Sequence, residues 1–128
     1  MYDPSSGDKK ATKKEMVLYA PKKPIKGDVF IQIVFGMPYP KKWFRTGKYN
    51  GILKNNAPLF HSNKPDIDNM VKFYLDCMSG IIYNDDKQVV WLTTYKKYSI
   101  TPSTKIKILE RDEVNITDLL QAEQSQNN

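Results

Sequence analysis

Large apolar residues occupy every second position in segment 28–36. Val29, Ile31, Ile33 and Phe35 share one face of a chain with this period, and most of the opposite face is apolar as well. Alternation of this kind predicts a β-strand, and apolar residues on both faces indicate that the strand is largely covered.

Two more strands are predicted in the second half of the chain. Segment 88–98 is rich in β-branched and aromatic residues, and segment 104–110 alternates lysine with isoleucine. A turn signal, Thr101-Pro102-Ser103, separates them. We therefore predict that these two strands pair with each other as antiparallel neighbours.

The clearest helical pattern lies between Pro65 and Gly80. Apolar residues recur there at helical spacing, and the glycine stands where a helix would end. The members of this stripe are Ile67, Met70, Val71, Tyr74, Leu75 and Met78. Segment 9–20 is compatible with a short helix that ends before Pro21, and another short helix is expected to begin near Asn115 or Thr117.

Segment 37–64 has no sustained period and is rich in proline, glycine and lysine. A loop of this length is uncommon in a compact domain unless it has a function. Its basic residues are candidates for contact with phosphates: Lys41, Lys42, Arg45, Lys48 and Lys54. Trp43 and Phe44 lie among them and suit either stacking on unpaired bases or anchoring of the loop in the core.

The 128 residues fit one domain, which we place at 1–115, followed by a short helix and a frayed acidic tail at 116–128. One cysteine excludes an internal disulfide, and one cysteine with one histidine cannot build an ordinary zinc site. No stretch of the sequence is apolar enough for a membrane span, and the N-terminus lacks the apolar core of a signal peptide. These features suit a reducing cytosol.

The net charge of +6 is unevenly distributed along the chain. Residues 1–63 hold twelve basic and four acidic side chains, and the C-terminal tail is acidic. A basic body favours a polyanionic partner, because phosphate contacts release counterions. Lysines that only keep a small protein soluble would give the same charge.

Five aspartates interrupt the basic body within one short segment, and we call them the acidic island: Asp66, Asp68, Asp76, Asp85 and Asp86. Carboxylates that converge repel one another unless a cation neutralises them, and oxygen ligands favour Mg²⁺. A magnesium ion on a basic surface suits phosphodiester hydrolysis, and Lys72 would add positive charge at the phosphate.

Each member of the acidic island also has a structural interpretation. Asp66 or Asp68 would serve as a helix N-cap, and Asp85 and Asp86 would belong to an ordinary turn. Asp76 is expected to pair with Lys72, four residues earlier on the same helix.

The run KPDIDNMVK at 64–72, followed by DDKQV at 85–89, resembles the signature of the RusA-type Holliday junction resolvases. The pattern D-x-D-N-x-x-K with a downstream D-D-x-Q-V is specific, whereas an isolated D-x-D would be weak. The resemblance is firm over about residues 64–90, and the flanking strands and basic loop are similar in organisation only.

The resemblance implies a small α+β fold, with a mixed or antiparallel sheet packed against one or two helices, that forms a homodimer. It also implies an endonuclease that cuts four-way DNA junctions with Mg²⁺, with Mn²⁺ as a substitute. In the family, residues that match Asp66, Asp68 and Asp86 hold the metal and a lysine that matches Lys72 is catalytic. Asp85 is an additional candidate metal ligand.

The implied setting is DNA recombination and repair in a bacterial cell, with a phage or prophage as the source. We add four lysines to the residues expected to bind DNA: Lys64, Lys87, Lys96 and Lys97. Family members usually begin with an extra strand, which this chain is expected to lack. That departure supports the alternative of a degenerate resolvase that binds junctions without cutting them.

Overall fold

The computed structural model describes residues 8–114 and residue 120. Their regular elements are, in chain order, α1 (Lys9–Tyr19), β1 (Val29–Pro38), α2 (Ile67–Met78), β2 (Val89–Ser99) and β3 (Ser103–Leu109). Short 3₁₀ helices occur at Lys41–Trp43, Gly47–Tyr49, Asp86–Gln88 and Arg111–Glu113. A small mixed sheet with two helices confirms the α+β prediction.

The strand order of the sheet is β2-β1-β3. Strand β1 pairs in parallel with β2 and antiparallel with β3, so that Ile33 lies between Thr94 and Ile106. The predicted hairpin between β2 and β3 is therefore wrong, because β1 lies between them. The physical reason is that the apolar residues on both faces of β1 suit a central position, whereas the more polar β2 and β3 suit the edges.

The core lies between α2 and one face of the sheet. The odd-numbered residues of β1 from Val29 to Met37 are buried, as their alternation predicts. Helix α2 contributes Met70, Tyr74, Cys77 and Met78 to the buried residues. The rings of Phe35 and Tyr74 lie 5.6 Å apart across this contact. Cys77 is a free cysteine that is buried in this core.

Helix α1 begins at the N-cap Asp8, whose side chain accepts a hydrogen bond of 3.0 Å from the backbone N–H of Ala11. It ends at Tyr19, two residues before Pro21, close to the predicted boundary. It contacts α2. No helix in the described part of the chain is both long enough and apolar enough to cross a membrane.

The long segment between β1 and α2 has more structure than its sequence predicts. It contains two 3₁₀ helices, and the chain on either side of the second is linked by backbone hydrogen bonds from the N–H of Arg45 to the Ile52 carbonyl and from the N–H of Lys54 to the Trp43 carbonyl. Further along, the segment returns to the sheet, where Phe60 forms a bridge with Lys97 of β2. At the other end of the chain, the predicted helix from Asn115 or Thr117 and the frayed tail lie outside the described residues, Leu120 excepted.

The two faces of β1 differ in burial, and this difference can be tested by mutation. Replacement of the fully buried Ile33 by alanine (Ile33→Ala) should lower the free energy of unfolding by about 2–5 kcal/mol, through lost burial and an unfilled cavity. The matched control is Val34→Ala, on the half-buried opposite face, which should cost less than half as much. Urea denaturation of the two variants measures both. A larger loss for Val34→Ala would contradict the assignment of the core face.

Candidate active site

Helix α2 carries three charged side chains in a row on one side. Asp68, Lys72 and Asp76 are spaced four residues apart, which places them on neighbouring turns of the same face. All three line an open groove whose apolar wall includes Leu92 of β2. Asp68 is in the first helical turn, where the helix dipole favours a negative charge.

Asp86, which lies outside α2, lines the same groove. It begins the 3₁₀ helix Asp86–Gln88, which follows α2 after a short turn. The structure therefore brings together Asp68, Lys72 and Asp86, three of the predicted site residues. Asp76, a member of the acidic island for which a structural role was expected, lines the groove as well.

The predicted ion pair between Lys72 and Asp76 is not found among the described residues. Asp76 lies 3.6 Å from Nζ of Lys9 in α1 instead. Lys72 is exposed on the groove. The i, i+4 spacing would allow Lys72 to pair with Asp76, but α1 brings Lys9 to the Asp76 carboxylate instead.

Asp66 occupies the N-cap position of α2, with extended backbone, and its side chain makes no capping hydrogen bond. The structure thus supports the N-cap interpretation in position only. Asp66 is exposed and precedes Asp68 by two residues, but it is not among the residues that line the groove.

Asp85 is engaged in local structure. Its Oδ1 accepts a hydrogen bond of 2.9 Å from the backbone N–H of Lys87, while Gln88 accepts one of 2.9 Å from the N–H of Asp85. This reciprocal capping box supports the turn interpretation for Asp85. Gln88 also donates to the carbonyl oxygens of Ile25 and Gly27, which ties the turn to the segment ahead of β1.

The chemistry of the groove suits a hard cation. It offers carboxylate oxygens, the ligands that Mg²⁺ and Mn²⁺ accept, and the described chain has no soft ligand there. Within residues 8–114 and 120, however, no three His, Cys, Asp or Glu side chains are close enough to hold an ion by themselves. The predicted set of Asp66, Asp68, Asp85 and Asp86 is thus not gathered into one cluster.

Tyr83 is a site residue that the sequence analysis missed. Its side chain is fully buried, and its hydroxyl lies 2.8 Å from the carbonyl oxygen of Leu75 and 3.1 Å from Oδ1 of Asp86. The hydroxyl has a single proton to share between these acceptors. Nothing in the sequence around Tyr83 indicates this role, because the contact depends on how the chain returns along α2.

Burial raises the pKa of Tyr83 well above the ordinary tyrosine value, and the negative charge of Asp86 raises it further. Both effects disfavour the phenolate. Tyr83 therefore remains a neutral hydrogen-bond donor to Asp86 at neutral and moderately alkaline pH.

The basic residues predicted to bind DNA occupy different settings. Most are exposed: Lys41, Lys42, Lys48, Lys54, Lys64 and Lys87. Arg45, Lys96 and Lys97 are half-buried. Lys96 donates hydrogen bonds of 2.8 and 2.7 Å to the carbonyl oxygens of Asn63 and Pro65, immediately before Asp66.

Trp43 and Phe44 are both half-buried. The ring of Phe44 meets that of Tyr39 edge-on at 6.2 Å, and Phe44 pairs with Leu53 across the loop. These contacts support the interpretation of Phe44 as a loop anchor. Nζ of Lys42 lies 5.5 Å from the centre of the Trp43 ring, a cation–π contact at the loop surface.

The raised pKa of Tyr83 predicts how the free energy of unfolding depends on pH. Its folded pKa lies above the unfolded value of about 10, so its contribution is complete below that pH and is lost as pH rises toward the folded pKa. Tyr83→Phe should lower the free energy of unfolding by about 1 kcal/mol at neutral pH, and the difference from wild type should narrow above pH ~10. Urea denaturation at several pH values measures this. A difference that widens above pH ~10 would contradict it.

Comparison with known proteins identifies the family. A family model described as Endodeoxyribonuclease RusA matches residues 2–109. The chain is also similar to the "Uncharacterized protein YqaN" of Bacillus subtilis (strain 168), with 34% identity over 92 residues. That match covers 72% of this chain and 64% of the relative, so less than two thirds of the relative's length is represented. No solved structure matches significantly. The extent of the family match shows that the chain belongs to the RusA endodeoxyribonuclease family.

Proposed function

We propose that this protein is a structure-selective endonuclease that hydrolyses phosphodiester bonds in four-way DNA junctions with Mg²⁺, during recombination and repair. The observation that carries the proposal is the groove that Asp68 and Lys72 of α2 line together with Asp86. The residues of the family signature contribute to this groove, and the chain belongs to a family of endodeoxyribonucleases.

The proposed metal ligands are Asp68 and Asp86 in the groove, with Asp66 and Asp85 beside them in the chain. Mg²⁺ usually keeps several waters and binds through one or two carboxylates plus the phosphates of its substrate. A groove with few protein ligands therefore fits this ion, and the same oxygen donors fit Mn²⁺. When bound, the metal supplies an activated water and positive charge beside the phosphate.

Lys72 is the proposed catalytic cation of the protein itself. It is exposed on the groove, one helical turn beyond Asp68, where its ammonium group can approach the phosphate. A positive charge at that position stabilises the negative charge that develops on the phosphoryl oxygens. Asp68 and Asp76, one turn away on either side, surround this single lysine with negative charge.

The basic loop is the proposed DNA-binding surface. Its exposed lysines belong to a segment that the two 3₁₀ helices hold in shape, so their charges are presented on a folded surface. Lysine contacts to phosphates give affinity with little dependence on sequence. Recognition of a branched structure then depends on how two such surfaces are arranged.

A homodimer is part of the proposal. Resolution of a junction requires incision of two opposed strands, and the groove that carries the proposal holds Asp68 and Asp86 of the acidic island from the same subunit. Two subunits related by a two-fold axis would present two identical sites to the two strands. The bacterial cytoplasm, with a phage or prophage source, is the proposed setting.

A second candidate is a junction-binding protein that does not cut. The observation that favours it is the lack, within the described chain, of any three ligating side chains close enough to hold a metal. Such a protein would keep the basic surface and bind junctions with the same dependence on salt. Cleavage assays separate the two candidates.

Asp68→Asn tests the catalytic proposal. The amide cannot neutralise the metal's charge, so cleavage of a four-way junction with Mg²⁺ should fall about 100-fold or more. The variant should still bind the junction in EDTA. The matched control is Asp112→Asn, which alters an exposed aspartate in the 3₁₀ helix Arg111–Glu113, away from the groove. Undiminished cleavage by Asp68→Asn would remove its catalytic role.

Lys48→Met tests the basic loop. Loss of one phosphate contact should reduce the slope of log K against log salt by about 0.9 and weaken binding at low salt. Fluorescence anisotropy of a labelled junction in EDTA, from low to moderate salt, measures the slope. Lys10→Met, an exposed lysine on α1, serves as the control. Equal slopes for both variants and the wild type would exclude Lys48 from the DNA interface.

A further inference from the structure

We infer that Lys96 is a positioning residue, which holds the backbone at 63–65 and thereby fixes the place of Asp66 and the first turn of α2. This inference rests on the proposed nuclease function. It differs from the sequence-based expectation that Lys96 binds a DNA phosphate.

The contacts of the Lys96 ammonium group carry the inference. Nζ donates to the carbonyl oxygens of Asn63 at 2.8 Å and Pro65 at 2.7 Å. Both distances are typical of strong, charge-assisted hydrogen bonds. An ammonium group has three donors, so two of them are committed to this segment. The Pro65 carbonyl belongs to the peptide bond between Pro65 and Asp66. One of the two Lys96 hydrogen bonds is therefore made to the peptide group next to a proposed metal ligand.

The backbone of Lys96 is held in the sheet. It lies on β2, in register with the fully buried Phe35 of β1. The chain that leads to Asp66 is fastened to the same part of β2, since the N–H of His61 donates to the Lys96 carbonyl and the N–H of Tyr98 donates to the Leu59 carbonyl. The Lys96 side chain extends this attachment to residues 63–65, where the loop enters the helix.

Lys97 provides the contrast. Successive side chains of a strand point to opposite faces, so Lys97 is directed away from the face on which α2 packs. No hydrogen bond of its ammonium group is present among the described residues. Lys97 therefore remains a candidate for phosphate contact, whereas Lys96 would have to release residues 63–65 in order to bind DNA.

Displacement of a ligand-bearing segment affects turnover more than binding. A shift of about 1 Å in a reacting group can lower a rate about 100-fold. Junction affinity, in contrast, depends on the charges that reach the phosphates. Lys96→Met should therefore lower the single-turnover rate of junction cleavage with Mg²⁺ roughly 10- to 100-fold at saturating protein. Its junction Kd and salt slope in EDTA should stay within about twofold of wild type.

Two lysine variants complete the comparison. Lys97→Met should weaken binding and reduce the salt slope by about 0.9, as loss of a phosphate contact requires. Lys105→Met removes an exposed lysine from β3 and is the control for loss of charge alone. If Lys96→Met reduced the salt slope like Lys97→Met while its saturated rate stayed normal, Lys96 would be a phosphate contact and the inference would be overturned.

A measurement without metal or DNA tests the contact itself. Backbone order parameters from ¹⁵N relaxation of the free protein should fall at Asn63, Lys64 and Asp66 in Lys96→Met, from about 0.85 to below about 0.6. Unchanged values would overturn the inference. If Lys96→Met failed to fold, Lys96→Arg would replace it; this variant keeps the charge but not the ammonium geometry, and its order parameters should fall in the same direction.

The outcomes distinguish this inference from the proposed function. If wild-type protein and Asp68→Asn cut junctions equally well, the assignment of the groove fails regardless of Lys96. If Asp68→Asn is inactive while Lys96→Met retains wild-type rates and order parameters, the groove stands and the positioning role of Lys96 fails.

Discussion

The buried hydroxyl of Tyr83 joins the C-terminal half of α2 to the turn that carries Asp86. It reaches the Leu75 carbonyl on one side and the Asp86 carboxylate on the other. Through this connection, α2 and the turn with Asp86, which both contribute residues to the groove, are held to each other. Because the ring is fully buried, the position of Asp86 relative to Asp68 and Lys72 depends on the same core that holds α2 on the sheet.

The negative charge of the groove must also be balanced. Asp68, Asp76 and Asp86 line one groove, and like charges on a shared groove carry an electrostatic cost even where no three of the described acids are close enough to hold an ion together. Lysines reduce this cost, since Lys72 lies within the row and Lys9 pairs with Asp76. Under the proposed function, a divalent cation that keeps part of its water shell would balance the remaining negative charge. The acidic island is thus compatible with a body that is otherwise basic.

Local patterns in the sequence predicted the elements well. The helical stripe led to α2 at Ile67–Met78, and the alternation of apolar residues led to β1 with its buried face, because both depend on neighbours a few residues apart. The order of the strands and the partners of Lys96 were missed. Lys96 contacts carbonyls more than thirty residues away, and β1 separates β2 from β3. Such contacts depend on the whole fold and leave no periodic trace in the sequence.

The most direct test compares a four-way junction with a linear duplex of the same arm sequence, each incubated with wild-type protein in Mg²⁺ or in EDTA. The wild-type protein should make paired incisions on opposed strands of the junction in Mg²⁺, cut the duplex little, and cut neither substrate in EDTA. A junction that is bound but remains intact in both Mg²⁺ and Mn²⁺ would rule out the proposed nuclease activity and support the non-catalytic alternative.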